Sequence, residues 1–317
     1  MNGPPCPLAR PAPRRRTLLR ALPLALAAGA LAPALTACTH ASERLDAETN
    51  AIPEVDLTGI EQIPELAALV PAAIRERGVL TNGAALNYAP GEFVGSDGQA
   101  VGYDMDILAA IGAVLGLDTR TESAVFAQII PSIGTKYDVG MSSFTINAER
   151  LQTVSMVSYF RAGMGYAVKA GNPYGIDPTD LCGTRAAHQV GTYMDDVVVD
   201  LDASCREAGR KGVIDQPYTG NADAATAVAG GKADVLLADS PVIAYAVDRS
   251  RGELETVGDI ADSALNGIVV AKDAPDLALA IQGAVQHLID SGRLREILAA
   301  WGNESGMIER SEVDPQS

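Results

Sequence analysis

The chain has 317 residues, of which 47% are hydrophobic, so it is long enough and apolar enough to bury a large core in about two domains. It contains 24 Lys and Arg against 40 Asp and Glu, and five of the arginines precede Cys38, which leaves 19 basic residues in the remainder. This acidity excludes a nucleic-acid partner, because phosphate binding needs a basic surface.

The first 37 residues have the pattern of a targeting peptide. A basic run, RPAPRRR, precedes an apolar stretch that is too interrupted, by Arg20 and prolines, to form a membrane-spanning helix of about 20 apolar residues. LTAC, which ends at Cys38, resembles the bacterial lipobox, in which the leader is cut before a cysteine whose sulfur receives a diacylglycerol. We predict a signal peptide over residues 1–37 and a lipid-anchored Cys38 on the extracytoplasmic face of the bacterial membrane.

Two alternatives stay open for this leader. It is also compatible with an ordinary secretory signal that carries an incidental cysteine. RRTLLR resembles a twin-arginine signal loosely, so the sequence does not decide between the Sec and twin-arginine export routes.

Residues 38–58 are polar and acidic without a clean hydrophobic period, which is typical of a tether between a lipid and a folded body. Of the four cysteines, Cys6 is lost with the leader and Cys38 takes the lipid. Cys182 and Cys205 then remain in an oxidising compartment, where we predict a disulfide between them. Two buried free thiols are the alternative.

Strand-like and helix-like segments alternate beyond the tether. GVLTNGAAL, from Gly78, is a short apolar strand, and the segment from Tyr103 has the period of an amphipathic helix. One face of that helix carries Ile107, Leu108, Ile111, Val114 and Leu115. A strand followed by a helix predicts an α/β class.

One pattern occurs twice. TKYDVGMSS, around Asp138, and GKADVLLADS, around Asp234, each turn at Lys-x-Asp, continue as an apolar strand and end in polar residues. Ligands collect just outside the carboxyl ends of strands in open α/β sheets. We therefore expect one such unit in each of two lobes, with a shared cleft between them.

The C-terminal region closes the first lobe. NGIVVAK is strand-like, and two amphipathic helices follow from Pro275. We predict lobe 1 over residues 59–163 and 265–310, lobe 2 as an insertion over residues 164–264, and a tail over residues 311–317. The two crossings, near residues 161–164 and 264–266, would form a hinge.

Four blocks, in order, resemble the extracellular solute-binding proteins of ABC importers, polar amino acid type (family 3), over roughly residues 60–310. The blocks are NYAPGEFVGSDGQAVGYDMDILAAIGAVLGL, FAQIIPSIGTKYDVGMSSFTINAER, VGTYMDD and GGKADVLLADSPVIAYAV. The resemblance implies a type II, periplasmic-binding-protein-like Venus-flytrap, in which two α/β lobes joined by a two-strand hinge close on one small molecule.

The resemblance also implies site residues. Arg150 would bind the ligand's α-carboxylate, helped by Ser143 and Thr145, since a guanidinium forks onto a carboxylate through two parallel hydrogen bonds. Asp239, at the end of DVLLAD, would bind the ammonium group. Taken alone, Arg150 is more typical of a solvated residue in a first helical turn, and Asp239 is more typical of a helix cap or turn residue.

The ligand's side chain would lie between Tyr88 and Phe126, for which core packing is the alternative. Thr192 and Tyr193 would contact it from the second lobe, in a loop where many relatives have Gly-Thr-Thr. Binders of cationic amino acids often carry an acid where this chain has Ala85, which favours a neutral or apolar ligand side chain. Asp195 and Asp196 would reverse that preference if they face the cleft.

The resemblance predicts a receptor that captures an amino acid or a derivative and delivers it to an ABC permease, acting as a monomer without cofactor, metal or chemistry. An enzyme on the same scaffold, similar to the dehydratases, is one alternative. It would need a general acid over the ligand, and the histidines His40, His188 and His287 do not supply an obvious one. A sensory module for a membrane signalling receptor is the other alternative.

Overall fold

The computed structural model describes residues 52–316. The predicted signal peptide, Cys38 and most of the predicted tether lie outside these residues. Within the described range, no helix has both the length and the apolar character that a membrane crossing requires.

The described residues form an alternating series of strands and helices. The strands are β1 (Val79–Ala84), β2 (Asn87–Tyr88), β3 (Glu92–Val94), β4 (Ala100–Val101), β5 (Asp118–Ser123), β6 (Val139–Gly140), β7 (Val154–Lys169), β8 (Arg185–Gln189), β9 (Ile214–Tyr218), β10 (Val235–Asp239), β11 (Leu254–Thr256) and β12 (Ala261–Ala271). The helices are α1 (Pro64–Ala67), α2 (Ala72–Arg77), α3 (Tyr103–Leu115), α4 (Phe126–Ile129), α5 (Arg150–Thr153), α6 (Tyr193–Glu207), α7 (Asn221–Ala229), α8 (Ser240–Arg249), α9 (Pro275–Asp290) and α10 (Arg293–Ala300).

The main sheet runs in the order β5-β1-β6-β12-β7-β10-β8-β9, with β11 also paired to β7. In the first lobe β1 lies parallel to β5 and β6, and in the second lobe β8 lies parallel to β9 and β10. The long antiparallel strands β7 and β12 join the two halves, and Arg161 pairs with Leu265 where the sequence predicted the crossings. This is the two-lobed α/β arrangement with a two-strand hinge that the sequence predicted.

Helices α3, α9 and α10 cover the sheet of the first lobe. All five apolar residues on the predicted face of α3 are at most 1% exposed. Each such buried side chain stabilises the fold by about 1.5 to 3 kcal/mol. Val55 and Leu57, at the end of the predicted tether, also pack against this core, so the packed body includes them.

The chain end packs in the same way. Ser311 is 1% exposed, and the Asp314 carboxylate accepts a hydrogen bond from the backbone N–H of Met156 in β7 at 2.8 Å. Residues 311–314 of the predicted tail are therefore bound to the first lobe.

The second lobe has apolar cores on both faces of its sheet, and the predicted disulfide between Cys182 and Cys205 is present beside one of them. This bond ties the segment before β8 to the end of α6.

The repeated aspartates have the same structural task in both lobes. Asp138, just before β6, accepts hydrogen bonds from the backbone N–H and the hydroxyl of Thr81 in the parallel neighbour β1. Asp234, just before β10, accepts hydrogen bonds from the backbone N–H and the guanidinium of Arg185 in the parallel neighbour β8. Both aspartates therefore tie neighbouring strands together at the edge of the sheet away from the cleft.

Candidate functional site

A cavity of about 280 Å³ lies between the lobes. All eight residues predicted to bind the ligand line it, together with two others. The lining residues are Tyr88, Phe126, Ser142, Ser143, Thr145, Arg150, Thr192, Tyr193, Met194 and Asp239. Residues that are up to 151 positions apart in the sequence thus share one small space, with contributions from both lobes.

Arg150 is held over an aromatic surface. It opens α5, where its backbone N–H donates to the Asn147 side chain at 2.9 Å. Its guanidinium lies 5.7 Å from the ring centre of Phe126 and 5.5 Å from that of Phe144, and these two rings stack. Burial lowers the pKa of Arg150, while the Asp239 charge acts in the opposite direction. An arginine stays charged even so, and both rings lie within the distance of a cation–π interaction with it.

The guanidinium also bridges the lobes. It donates to the carbonyl oxygen of Thr145 at 2.7 Å and to that of Gly191, in the second lobe, at 3.3 Å. A ligand carboxylate is a stronger acceptor than either neutral carbonyl, so it would compete well for the same donors.

Asp239 stands at the carboxyl end of β10, and only 8% of it is exposed. Burial raises the pKa of Asp239 to about 6, although hydrogen bonds from Asn266 and Tyr88 and the charge of Arg150 act in the opposite direction. The ionised form of a carboxyl group that is desolvated in this way is stabilised when a cationic group binds next to it.

Tyr88 makes a second contact between the lobes. Its hydroxyl accepts a hydrogen bond from the backbone N–H of Asp239 at 3.2 Å. Burial, followed by the charge of Asp239, raises the pKa of Tyr88 well above its usual value, so the phenol is neutral. The neutral ring forms part of the wall of the cavity, as Phe126 and Arg150 do.

Ser143 lines the cavity, but its donor groups point elsewhere. Its hydroxyl lies 3.1 Å from a Glu92 oxygen and 3.4 Å from an Asp104 oxygen, and its backbone N–H donates to Asp104 at 2.9 Å. Ser142 donates its hydroxyl to Glu92 at 2.6 Å. In this structure both serines are therefore bound to buried carboxyl groups, and the contribution of Ser143 to ligand binding stays a prediction.

The start of α6 forms the second-lobe wall. Thr192 caps the helix, because its hydroxyl accepts from the backbone N–H of Met194 at 3.3 Å and donates to the Gln189 carbonyl at 2.7 Å. The helix start favours a negative group at this wall. Tyr193 and Met194 present a phenol and a thioether to the same space.

Two lining residues, Ser142 and Met194, were missing from the predicted set, as were three supporting residues behind them. Ser142 belongs to the hydroxyl-rich turn SSFT, and its predicted neighbours Ser143 and Thr145 could have indicated that it also lines the cavity. Glu92, Asp104 and Asn266 are at most 2% exposed, and in a chain with 40 acidic residues nothing in the sequence distinguishes these two carboxyl groups.

An open cavity of about 900 Å³ adjoins the first one and shares Phe126, Arg150 and Thr192 with it. Three acidic residues, Glu149, Asp195 and Asp196, lie on its wall. Asp195 and Asp196 thus line a space next to the cleft and do not line the first cavity, so the sequence-based condition for a cationic ligand side chain, that they face the cleft, is met only by a neighbouring surface.

The model of the bacterial extracellular solute-binding proteins, family 3, matches residues 80–304. The chain belongs to this family. This family 3 protein is 38% identical over 259 residues to the arginine-binding protein ArgT of Corynebacterium glutamicum, a match that covers 81% of this chain and 84% of that protein. It is therefore an amino-acid-binding receptor of an ABC transporter, and it works outside the cytoplasm.

Solved structures agree with this assignment. The arginine-bound form of truncated ArgBP from T. maritima superposes with a TM-score of 0.62 at 30% identity, covering 69% of this chain and 100% of that one. The ancestral amino acid-binding protein AncCDT-1, a precursor of cyclohexadienyl dehydratase, gives a TM-score of 0.66 at 26% identity, covering 72% and 97%. Both of these solved structures are named as amino-acid binders, and the one that precedes a dehydratase has the lower sequence identity to this chain.

Proposed function

We propose that this family 3 protein is a lipid-anchored receptor that binds L-arginine between its lobes and presents it to the permease of an ABC importer. The observation that carries the proposal is the placement of Arg150 and Asp239, from opposite lobes, on one small cavity. The lobe limits predicted from the sequence are retained, with the packed body extended to residues 55–58.

The head group of an amino acid fits these two side chains by charge. Arg150 offers a fork of donors to the α-carboxylate, and Asp239 offers a desolvated carboxylate to the ammonium group. Because the two lie on different lobes, one zwitterion satisfies both only in the closed molecule. Binding and closure are therefore coupled, and no chemical step is needed.

Two observations favour a guanidinium side chain over the neutral one that Ala85 suggested. The relative at 38% identity is named an arginine-binding protein, and arginine-bound ArgBP shares the fold. The acids around the adjoining cavity supply negative charge that Ala85 does not. The aromatic rings of Tyr88 and Phe126 are the flat surfaces on which the guanidinium group of the ligand's side chain would stack.

The dehydratase alternative receives less support from the site. His188 is fully buried, with its Nε2 2.8 Å from the Asp215 carboxylate, and it does not line the cavity. A general acid has to reach the reacting atoms, and this histidine is held away from them.

A ligand panel tests the receptor proposal. We expect isothermal titration of the purified protein to show tight binding of L-arginine, weaker binding of L-citrulline, which lacks the side-chain charge, and weak binding of agmatine, which lacks the carboxylate. Equal affinity for arginine and citrulline would reject the guanidinium subsite. Failure of every α-amino acid to bind would reject the roles of Arg150 and Asp239.

The anchor is tested separately. Cells that express the full chain should incorporate radiolabelled palmitate into the wild type and not into Cys38→Ala. Incorporation into both would reject Cys38 as the lipidation site.

A further inference from the structure

Two carboxyl groups lie directly beneath the serines of the cavity. Glu92, in β3, and Asp104, in the first turn of α3, are both 0% exposed. The Ser143 hydroxyl lies within 3.4 Å of an oxygen from each, so the two groups are close neighbours. The binding scheme proposed above does not use either of them.

The hydrogen bonds on these oxygens are unequal. One Asp104 oxygen accepts the Ser143 N–H at 2.9 Å, and the other accepts the Tyr159 hydroxyl at 2.7 Å, so both have donors, as an ionised carboxylate requires. Glu92 Oε1 accepts the Ser142 hydroxyl at 2.6 Å, whose own oxygen accepts the Ala85 N–H at 3.0 Å. Among residues 52–316 a single hydroxyl, that of Ser143, donates to Glu92 Oε2, so this oxygen can carry a proton.

The surroundings offer no positive charge to this pair. Within residues 52–316 its partners are hydroxyl groups, a backbone N–H and each other. The titratable side chains that face it from β2, α3 and β7 are Tyr88, Tyr103 and Tyr159, whose pKa values burial raises well above the usual range. Two adjacent negative charges in such a place would be very costly.

We propose that Glu92 and Asp104 form a carboxylic acid–carboxylate pair that shares one proton and positions the Ser142–Ser143 turn for ligand binding. Glu92 is the acid and donates its proton to the Asp104 carboxylate, so the pair carries one negative charge. The pKa values agree with this order: burial and then the Asp104 charge raise that of Glu92 well above its usual range, while burial raises that of Asp104 to about 6.

The pair has a consequence for the site. Ser143 adopts a left-handed backbone with φ of 51°, which a non-glycine residue seldom adopts without support. Bonds from its N–H and hydroxyl to the pair supply that support. The Ser142–Ser143 turn then positions the carbonyl group of Thr145, which accepts a hydrogen bond from the Arg150 guanidinium. Because Glu92 is neutral, the ligand carboxylate is repelled by one negative charge beneath the cavity and not by two. The positioning role rests on the proposed function, whereas the shared proton does not.

Infrared spectroscopy tests the proton directly and needs no ligand. In an Asp239→Asn background, which removes the other buried carboxyl of the site, we expect the carbonyl band of a protonated carboxylic acid at pH 7. Adding Glu92→Gln should abolish that band. Absence of the band from the Asp239→Asn protein, or its persistence after Glu92→Gln, overturns the shared proton.

Affinity for L-arginine tests the positioning role. Glu92→Gln can still accept from Ser142 and donate to Asp104, so its affinity should stay within about threefold of the wild type. Glu92→Leu should lose tenfold or more while remaining folded by circular dichroism. The matched control is Asp106→Asn on the same helix, since Asp106 binds the Trp301 indole, and it should bind normally.

Two outcomes overturn the positioning role. If Glu92→Gln loses as much affinity as Glu92→Leu, the site needs an ionised Glu92. If Glu92→Leu binds like the wild type, the turn does not depend on the pair. Should L-arginine fail to bind the wild type, the proposed function fails, and the infrared band still decides the shared proton.

Discussion

Arg150 is oriented for a carboxylate by groups that the ligand need not supply. The Phe126 and Phe144 rings lie within 5.7 Å of its guanidinium, and the Thr145 carbonyl accepts a hydrogen bond from one of its nitrogens. Such preorganisation reduces the ordering cost of binding. The acid across the cavity, Asp239, is equally fixed by its place at the end of β10.

Replacing Arg150 by alanine should therefore weaken binding of the amino acid by about 2 to 5 kcal/mol, because the ligand carboxylate is left buried without a partner. Arg150→Lys should give an intermediate loss, since lysine keeps the charge without the fork. Isothermal titration measures both. A loss below about 0.5 kcal/mol for Arg150→Ala would contradict the assignment.

The raised pKa of Asp239 predicts an acid limb in binding. In the closed arrangement without ligand this pKa is about 6, so the carboxyl group is mostly protonated there below that pH. A ligand ammonium needs the ionised form, so binding below pH 6 must release a proton and the affinity falls by up to about tenfold per pH unit. Above pH 7 the group is already ionised, and the affinity should be nearly constant.

Titrations between pH 4.5 and pH 8, on the wild type and on Asp239→Asn, check this limb. The variant should bind more weakly at neutral pH and show little further loss in acid. The same acid slope in both proteins would assign the proton to another group, such as Asp104.

At the scale of elements, the disulfide stabilises one lobe. It closes a loop between Cys182 and Cys205, which are 23 positions apart, and so contributes about 3 kcal/mol on the chain-entropy model. Reduction should lower the melting temperature by about 6 to 12 °C, at about 2 to 4 °C per kcal/mol. Arginine binding to the reduced, folded protein should change little, because the start of α6 lines the cavity and the bond lies at its other end.

Calorimetry with and without a reductant measures this shift. The Cys182→Ala, Cys205→Ala double variant is the control and should melt at the lower temperature under both conditions. A reductant shift of equal size in that variant would show that the effect does not come from the disulfide.

Elements with a strong period or a repeated motif could be predicted from the sequence. The face of α3 follows from hydrophobic spacing, and the Lys-x-Asp echo marks β6 and β10 because each aspartate performs the same local hydrogen bonding. The direction of the Ser143 hydroxyl was not predictable. It depends on Glu92 and Asp104, which reach it through tertiary packing and carry no local signal. The packing of Val55 and Leu57 was missed for the same reason.

At the scale of the whole molecule, the two lobes are in direct contact with each other around the ligand cavity. Tyr88 contacts Asp239 across the cleft, and Arg150 contacts Gly191. At the mouth, a Cβ added to Gly191 would lie 3.0 Å from the Cβ of Ala127 in α4, so there is no room for a larger side chain between them. The structure therefore shows the lobes in a closed arrangement.

This close approach makes Ala127, which lies on the wall of the adjoining 900 Å³ cavity, a place to block closure from outside the cavity that Arg150 and Asp239 line. Ala127 is exposed and does not line the 280 Å³ cavity, so a tryptophan there is tolerated while the lobes are apart. In the closed molecule its ring would collide with the Gly191 backbone. Ala127→Trp should then leave the melting temperature of the empty protein within about 2 °C, because exposed substitutions seldom change stability by more than about 0.5 kcal/mol.

Arginine affinity should nevertheless fall at least tenfold, because Arg150 and Asp239 can no longer reach one zwitterion together. X-ray scattering should show a smaller radius of gyration on adding ligand to the wild type and to the control Ala127→Ser, and no change for Ala127→Trp. If Ala127→Trp bound with full affinity and did not compact, the head group would have to be recognised by one lobe alone. Full affinity with normal compaction would show instead that a side chain at Ala127 does not obstruct closure. If the zwitterion is bound by charges on both lobes, Ala127→Trp must lose affinity and compaction together.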